Sequence, residues 1–270
     1  MPTLYVVATP IGNLEDISIR ALRTLSEVTL IAAEDTRKTR RLLNNYGIKT
    51  RLTSYHEHNK DIKLHYLLNH LNSEDLALVS EAGMPGISDP GYELVVAAAQ
   101  SGIDIVPIPG PSAVVTALAV SGLPADQFVY LGFLPRRKGK RRRLLEQMAE
   151  EERTIIAFEA PHRLVATLKD ILDVLSERRI AICRELTKVH EEVFRGTVSE
   201  SIEHFQEPIG EFTLVIEGKP KGEKALTAPI EEELRRLYEE GFSAREAVAQ
   251  LAKASGLPKR ELYKTWLQLS

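Results

Sequence analysis

The chain contains a single cysteine, Cys183, in 270 residues. Set in an apolar stretch, it excludes an internal disulfide and any cysteine-rich metal site, so a reducing, cytoplasmic setting is expected. Long apolar runs are also missing: no segment offers the roughly 20 apolar residues of a membrane helix. The N-terminal M-P-T-L-Y-V-V-A-T-P lacks the basic start and extended apolar run of an export signal, and Val6 to Ala8 already reads as a core strand. Neither a GxGxxG dinucleotide turn nor a GxxxxGK[ST] phosphate loop occurs, which removes the two commonest nucleotide motifs. Positive charge is not in excess either. With a net charge of -3, any nucleic-acid partner must be met by a local patch.

What is present is a globular composition, 43% hydrophobic and 27% charged, in a chain long enough for more than one domain. Short apolar runs (Leu4 to Ala8, Thr29 to Ala33, Leu76 to Val79, Ile105 to Ile108) alternate with amphipathic ones (Ile19 to Leu25, Thr39 to Tyr46, Leu64 to Leu71, Tyr92 to Gln100). This is the β-α rhythm of a mostly parallel sheet covered by helices, whose ligand belongs at the carboxyl ends of the strands. After S-G-L-P at Ser121 to Pro124 the pattern restarts, with strands at Phe128 to Leu131, Thr154 to Phe158, Ile180 to Cys183 and Phe212 to Ile216, and room for a hairpin around Val189 to Val198. A mixed second sheet is expected. The reading is therefore α/β: a parallel-sheet domain over 1–120 and a mixed-sheet domain over 121–220. Beyond a polar linker, Gly218 to Thr227, a small helical module spans 226–270. There Pro229 opens a helix that Gly241 stops, Ser243 and Glu246 form a capping box, Gly256 ends the second helix and Pro258 opens the third. Three such helices resemble a helix-turn-helix unit.

Several expected strands end in unusual loops. E-A-G-M-P-G-I-S-D-P-G-Y, Glu81 to Tyr92, is stiffened by three glycines and two prolines, lets backbone approach a small molecule, and leads into a helix whose first amides point at it. P-I-P-G-P-S-A, Pro107 to Ala113, repeats the device, with Ser112 available to cap the next helix or to bond a ligand. Glu34, Asp35 and Arg37 follow a buried run, where acids suit a helix N-terminus but could also take a proton, and an Arg could hold a phosphate. His56 and His58 lack the i, i+4 spacing of a zinc helix and no further ligand cluster accompanies them, so no metal is expected. Glu159, Pro161, His162 and Arg163 again open a helix after a strand. Glu185, Thr187 and Lys188 follow the strand containing Cys183, and Gly210, Glu211 and Phe212 lead into the last strand. One basic run stands out: Arg136, Arg137, Lys138, Lys140, Arg141, Arg142 and Arg143 are interrupted only by Gly139. Such a run is usually a solvated loop, yet beside a pocket it would attract phosphates.

Taken together, T-P-I-G-N-L-E-D-I at 9–17, A-E-D-T-R at 33–37, E-A-G-M-P-G-I-S-D-P-G at 81–91, P-G-P-S-A at 109–113 and F-E-A-P-H-R at 158–163 closely resemble the tetrapyrrole-methylase-fold family of S-adenosylmethionine-dependent methyltransferases. The likeness spans the whole chain and is greatest to the branch that acts on 16S ribosomal RNA. It implies two α/β domains with the cofactor in the cleft between them, and commonly a homodimer. For this sequence it implies cofactor contacts at Gly83, Met84, Pro85, Ile87, Ser88, Ser112 and Ala113, with Gly210, Glu211 and Phe212 near the adenine. The implied reaction is methylation of the 2′-hydroxyl of a cytidine in 16S rRNA, on naked RNA or the 30S subunit. Either Glu34 or Asp35 would be the base, helped by Arg37 and Lys188, with RNA gripped by the basic run, His162 and Arg163. C-methylation of a tetrapyrrole precursor and a non-catalytic RNA-binding role are the alternatives.

Overall fold

A computed structural model describes residues 2–220, 228–255, 257 and 259–269. The chain divides into two compact units, Met1–Gly218 and Lys219–Ser270. The first holds two five-stranded sheets. Strands β1 (Thr3–Val7), β2 (Leu30–Ala33), β3 (Arg51–Ser54), β4 (Leu76–Val79) and β5 (Asp104–Ile108) form an all-parallel sheet in the order β3-β2-β4-β1-β5. The central strands β2 and β4 are buried along their whole length, as the runs L-I-A-A and L-A-L-V require of strands covered on both faces. Helices α1 (Ile19–Glu27) and α2 (Thr36–Asn45) pack on one face through Ala21, Leu25, Leu42 and Leu43. Helices α3 (Lys60–His70) and α4 (Tyr92–Gln100) cover the other through Leu67, Leu71, Leu94 and Ala98. The chain leaves β1 in one direction and β4 in the other, so these neighbouring strands form the switch point where α/β sheets bind ligands.

The second sheet, β6 (Phe128–Phe133), β7 (Thr154–Glu159), β8 (Arg179–Arg184), β9 (Glu192–Thr197) and β10 (Phe212–Ile216), runs in the order β6-β7-β10-β8-β9. Only β6 and β7 are parallel; β10 is antiparallel to both its neighbours, and β8 and β9 are the hairpin. Helices α6 (Lys138–Gln147), α7 (Leu164–Leu175) and α8 (Val198–His204) cover one face. The other face is closed by α5 (Ala113–Ser121), which leaves β5 of the first sheet but packs Val114, Ala117 and Leu118 against Ile156, Ala181, Cys183 and Val215 of the second. In that layer the Cys183 thiol is buried, and burial pushes its pKa up to about 11, so it is an inert packing group.

Two details go beyond the sequence pattern. β3 is not marked in it, because R-L-T-S carries one strong apolar residue, and as an edge strand it needs no more. The basic run is mostly helical: α6 begins at Lys138, and its 3.6-residue period turns Arg141 inward with Leu145. Arg141 donates from Nε and Nη2 to Asp170 Oδ2 at 2.9 and 2.6 Å, and Arg142 reaches Asp170 Oδ1 at 3.2 Å and Asp173 at 2.8 Å. Because Arg141 and Asp170 are both buried, Asp170→Ala should cost about 3–5 kcal/mol in urea unfolding, the penalty of leaving a buried guanidinium unpaired. A loss under about 1 kcal/mol would assign the pair no structural role.

The second unit is a three-helix cluster, α9 (Ala228–Glu239), α10 (Ala244–Ser255) and α11 (Lys259–Leu269), around Leu234, Leu237, Val248, Leu251, Leu262 and Trp266. Ser243 and Glu246 make the reciprocal bonds of a capping box before α10. The linker centre at 221–227, together with Gly256 and Pro258, lies outside the described residues.

Candidate active site

The loops after β1 and β4 are tied to each other at the switch point. Thr9 and Gly83 exchange both backbone hydrogen bonds at 2.9 Å, an isolated two-residue bridge that fixes the start of the E-A-G-M-P-G loop. Gly83 sits at φ +80°, a left-handed conformation that a side chain would strain. Between this loop and the second sheet lies a cavity of about 390 Å³, the size of a small-molecule site. Ile11, Met84 and Ile87 line it from the first sheet's loops, Ser112 to Val114 from the start of α5, and Phe133, Phe158 and Glu211 to Thr213 from the second sheet. The Ser112 hydroxyl makes no capping bond to α5, so it faces the cavity without that competing duty.

The cavity's electrostatics are one-sided. Glu34, Glu81 and Asp89 line it together, and among the described residues no Lys, Arg or His does. Glu34 Oε2 accepts the Glu81 amide N–H at 3.0 Å, which orients the carboxylate on the wall. Glu81 is paired with Lys38 at the rim. Asp89 has no such cation, and burial, reinforced by the charges of Glu34 and Glu81, pushes its pKa up to about 7. Within E-A-G-M-P-G-I-S-D-P-G, Asp89 stands three residues beyond Gly86, itself left-handed like Gly83, and its sequence position is a faint signal because only folding brings Glu34, at the end of β2, into the same cavity.

The residues expected to hold a cofactor divide into two groups. Gly83, Met84, Ile87, Ser112, Ala113, Glu211 and Phe212 line the cavity, whereas Pro85, Ser88 and Gly210 do not. Ser88, at φ +66°, lies 2.6 Å by its Oγ from the Tyr130 hydroxyl and so ties the loop to the second sheet. Gly210, at φ +100°, leaves room for Glu185: a Cβ there would lie 2.6 Å from Glu185 Cγ. Glu185 Oε1 in turn accepts the Glu211 N–H at 2.8 Å.

Of the expected catalytic residues, Glu34 alone lines the cavity. Asp35 is the N-cap of α2, accepting from the Arg37 and Lys38 amides at 2.8 and 3.2 Å, and those bonds hold its pKa below the usual aspartate value. Arg37 is exposed beside it. Lys188 bonds Glu185 and Glu211, each at 2.9 Å; burial opposes its charge, but the two carboxylates prevail and its pKa is raised. It therefore braces the wall rather than facing the cavity. The adjacent Thr187 Oγ1 accepts the Asn13 N–H at 3.0 Å, joining this brace to the β1 loop.

The expected RNA contacts are likewise uneven. Arg136, Arg137, Lys138, Lys140 and Arg143 are exposed at the start of α6, while Arg141 and Arg142 serve Asp170. His162 is exposed, but Arg163 pairs with buried Glu159 and donates to the Leu134 carbonyl at 3.1 Å. Among the described residues, no group of three or more His, Cys, Asp or Glu is arranged to hold a metal ion.

Residues 3–202 match the family model described as Tetrapyrrole (Corrin/Porphyrin) Methylases. A protein of Halalkalibacterium halodurans named ribosomal RNA small subunit methyltransferase I is 49% identical, covering 98% of this chain and 95% of its own length. One of the same name from Thermotoga maritima is 53% identical and is matched over 100% of its length by 81% of this chain. Among solved structures, a diphthine synthase shares the fold with a TM-score of 0.61 at 14% identity, covering 80% of this chain and 90% of its own. An anionic, apolar-walled cleft at the switch point of a parallel sheet, closed by a mixed second sheet, thus sits in a chain that belongs to the tetrapyrrole (corrin/porphyrin) methylase family, and that membership implies S-adenosylmethionine as methyl donor.

Proposed function

We propose that this protein transfers a methyl group from S-adenosylmethionine to the ribose 2′-hydroxyl of a cytidine in 16S ribosomal RNA, in the cytoplasm and as a homodimer. The observation that carries this reading is 49% identity, across 98% of the chain, to a relative named for methylating the RNA of the small ribosomal subunit. The cavity suits that donor: its uncompensated carboxylates favour a ligand with a fixed positive charge, and Met84, Ile87, Phe133 and Phe158 supply apolar walls. In this assignment Gly83, Met84, Ile87, Ser112, Ala113, Glu211 and Phe212 contact the donor, with Pro85, Ser88 and Gly210 holding their backbones. The two sheets act as lobes, 1–120 and 121–220, on either side of it.

When bound, the donor supplies a methyl carbon on a positively charged sulfur, open to in-line attack by oxygen. The ribose hydroxyl is a weak acid and needs a base as it attacks, and Glu34, fixed by the Glu81 amide, takes that proton. Positioning supplies much of the rest of the rate, since displacement at a methyl carbon needs its three centres in line. Arg37 at the rim and the five exposed cations of residues 136–143 hold flanking phosphates, and a 2′-hydroxyl target makes DNA a non-substrate.

The test is transfer of tritiated methyl from S-adenosylmethionine to 30S subunits lacking the modification, followed by mapping of the labelled nucleotide. Label on a cytidine ribose supports the assignment. Label absent from RNA but present on a porphyrinoid acceptor would move the chain to tetrapyrrole C-methylation, a reading that the exposed cations at 136–143 disfavour.

A further inference from the structure

The helical unit lies wholly beyond the family match, which ends at residue 202. The Thermotoga relative is matched in full by 81% of this chain, the share that residues 1–218 make up. The family match thus stops short of α9 to α11, and a relative of the same name is matched in full by a share of the chain that leaves room for them outside it, which points to a separate contact for this unit.

Its charge is polarised. α9 reads A-P-I-E-E-E-L-R-R-L-Y-E, four acids against two arginines, whereas α11 reads K-R-E-L-Y-K-T-W-L-Q-L, three cations against one acid. α11 buries Leu262 and Trp266, the latter edge-on to Tyr238 at 5.1 Å. At about 100° per residue, Arg260, Tyr263, Lys264 and Leu267 then occupy an arc of about 100° on the side away from that core. All four are exposed, Tyr263 by 45% and Leu267 by 60%. A large aromatic ring left in solvent beside two cations is the pattern of a surface that pairs with phosphates and stacks on a base. α11 begins four residues after the end of α10, a spacing shared with helix-turn-helix units, whose second helix meets nucleic acid.

We propose that the outward face of α11, built on Arg260, Tyr263 and Lys264, is a second RNA-binding surface that anchors ribosomal RNA through the helical unit. This rests on the rRNA reading for the identity of the polyanion. The anchor raises the local concentration of substrate at the cleft and adds salt-sensitive affinity without touching the cofactor.

The full chain carrying Arg260→Gln and Lys264→Gln, and separately Tyr263→Ala, tests it. A control with Arg235→Gln and Arg236→Gln removes the same charge from α9. Filter binding of protein-free 16S rRNA is measured from low to moderate salt, beside KM values for 30S subunits and for S-adenosylmethionine. The double variant should bind RNA about tenfold more weakly, with a log–log salt slope shallower by roughly 1.5. Tyr263→Ala should weaken binding about tenfold with the slope unchanged. The KM for S-adenosylmethionine and the behaviour of the α9 control should stay at wild-type values. Unchanged RNA binding, an equal loss in the control, a loss confined to 30S subunits with protein-free RNA unaffected, or a change of oligomeric state without RNA would each overturn the proposal, the last two pointing to a ribosomal protein or a second copy of the chain. Should wild-type protein methylate no 30S subunit, the functional reading fails, while the RNA-binding comparison still decides the role of α11.

Discussion

Glu34→Gln is expected to slow methyl transfer roughly 10²–10⁴-fold under single-turnover conditions, the range for loss of a positioned general base. The substitution keeps the side chain's length and leaves an amide oxygen to accept the Glu81 N–H, so the wall should stay in place. Calorimetric affinity for S-adenosylmethionine should fall far less than the rate, since the wall keeps its shape and Asp89 still faces the donor's charge. The companion change Asp35→Asn separates neighbours that sequence alone could not. Asparagine caps helices as well as aspartate, so α2 should keep its start and the rate should stay near wild type. If instead Asp35→Asn abolishes transfer and Glu34→Gln does not, the base is Asp35 and the α2 cap must open for catalysis.

Asp89→Asn should weaken S-adenosylmethionine binding at pH 8 by about 2 kcal/mol, or about 30-fold, the lower end of the cost of removing one partner from a charge pair. The pH dependence gives a second signature. In the free protein Asp89 has a pKa of about 7, raised by burial and by Glu34. A positively charged ligand favours the carboxylate and lowers that value in the complex. Between the two pKa values the free protein holds a proton that the complex has released, so affinity should fall as pH drops below about 7 and level off above it. The wild-type plot of log Kd against pH should have a slope near one just below neutrality, and Asp89→Asn should remove it. A pH-independent wild-type affinity from pH 5.5 to 8 would dissociate Asp89 from the cofactor.

The first sheet was legible from sequence because buried parallel strands must be apolar end to end, and L-I-A-A and L-A-L-V are. β3 was not, because an edge strand is exempt from that demand. Loop motifs identified the cleft, since backbone geometry leaves its mark in glycine and proline. Charge roles were harder to read. Glu34 and Asp35 are adjacent in sequence but face different partners, one the cavity and the other α2's amides, and a rotation of one residue decides which. Asp89 acquires its character first from burial and then from Glu34 and Glu81, which the ends of β2 and β4 bring to it. Arg141 resembles its basic neighbours until the period of α6 pairs it with Asp170, with Leu145 one turn on as the hint.

The strand order of the second sheet has a consequence for how the protein is made. β10, residues 212–216, is the last strand synthesised and stands at the centre, hydrogen-bonded to β7 on one side and β8 on the other. The first sheet has all its strands once residue 108 has been made, and can fold on the emerging chain. The second must wait as two fragments, β6-β7 and β8-β9, each with an open edge that could pair wrongly. The same final strand begins with Phe212 of the cavity wall, so a nascent or truncated chain that stops short of it has neither a finished sheet nor a closed cavity. The sheet and the cavity it walls are thus completed late in translation and by the same strand.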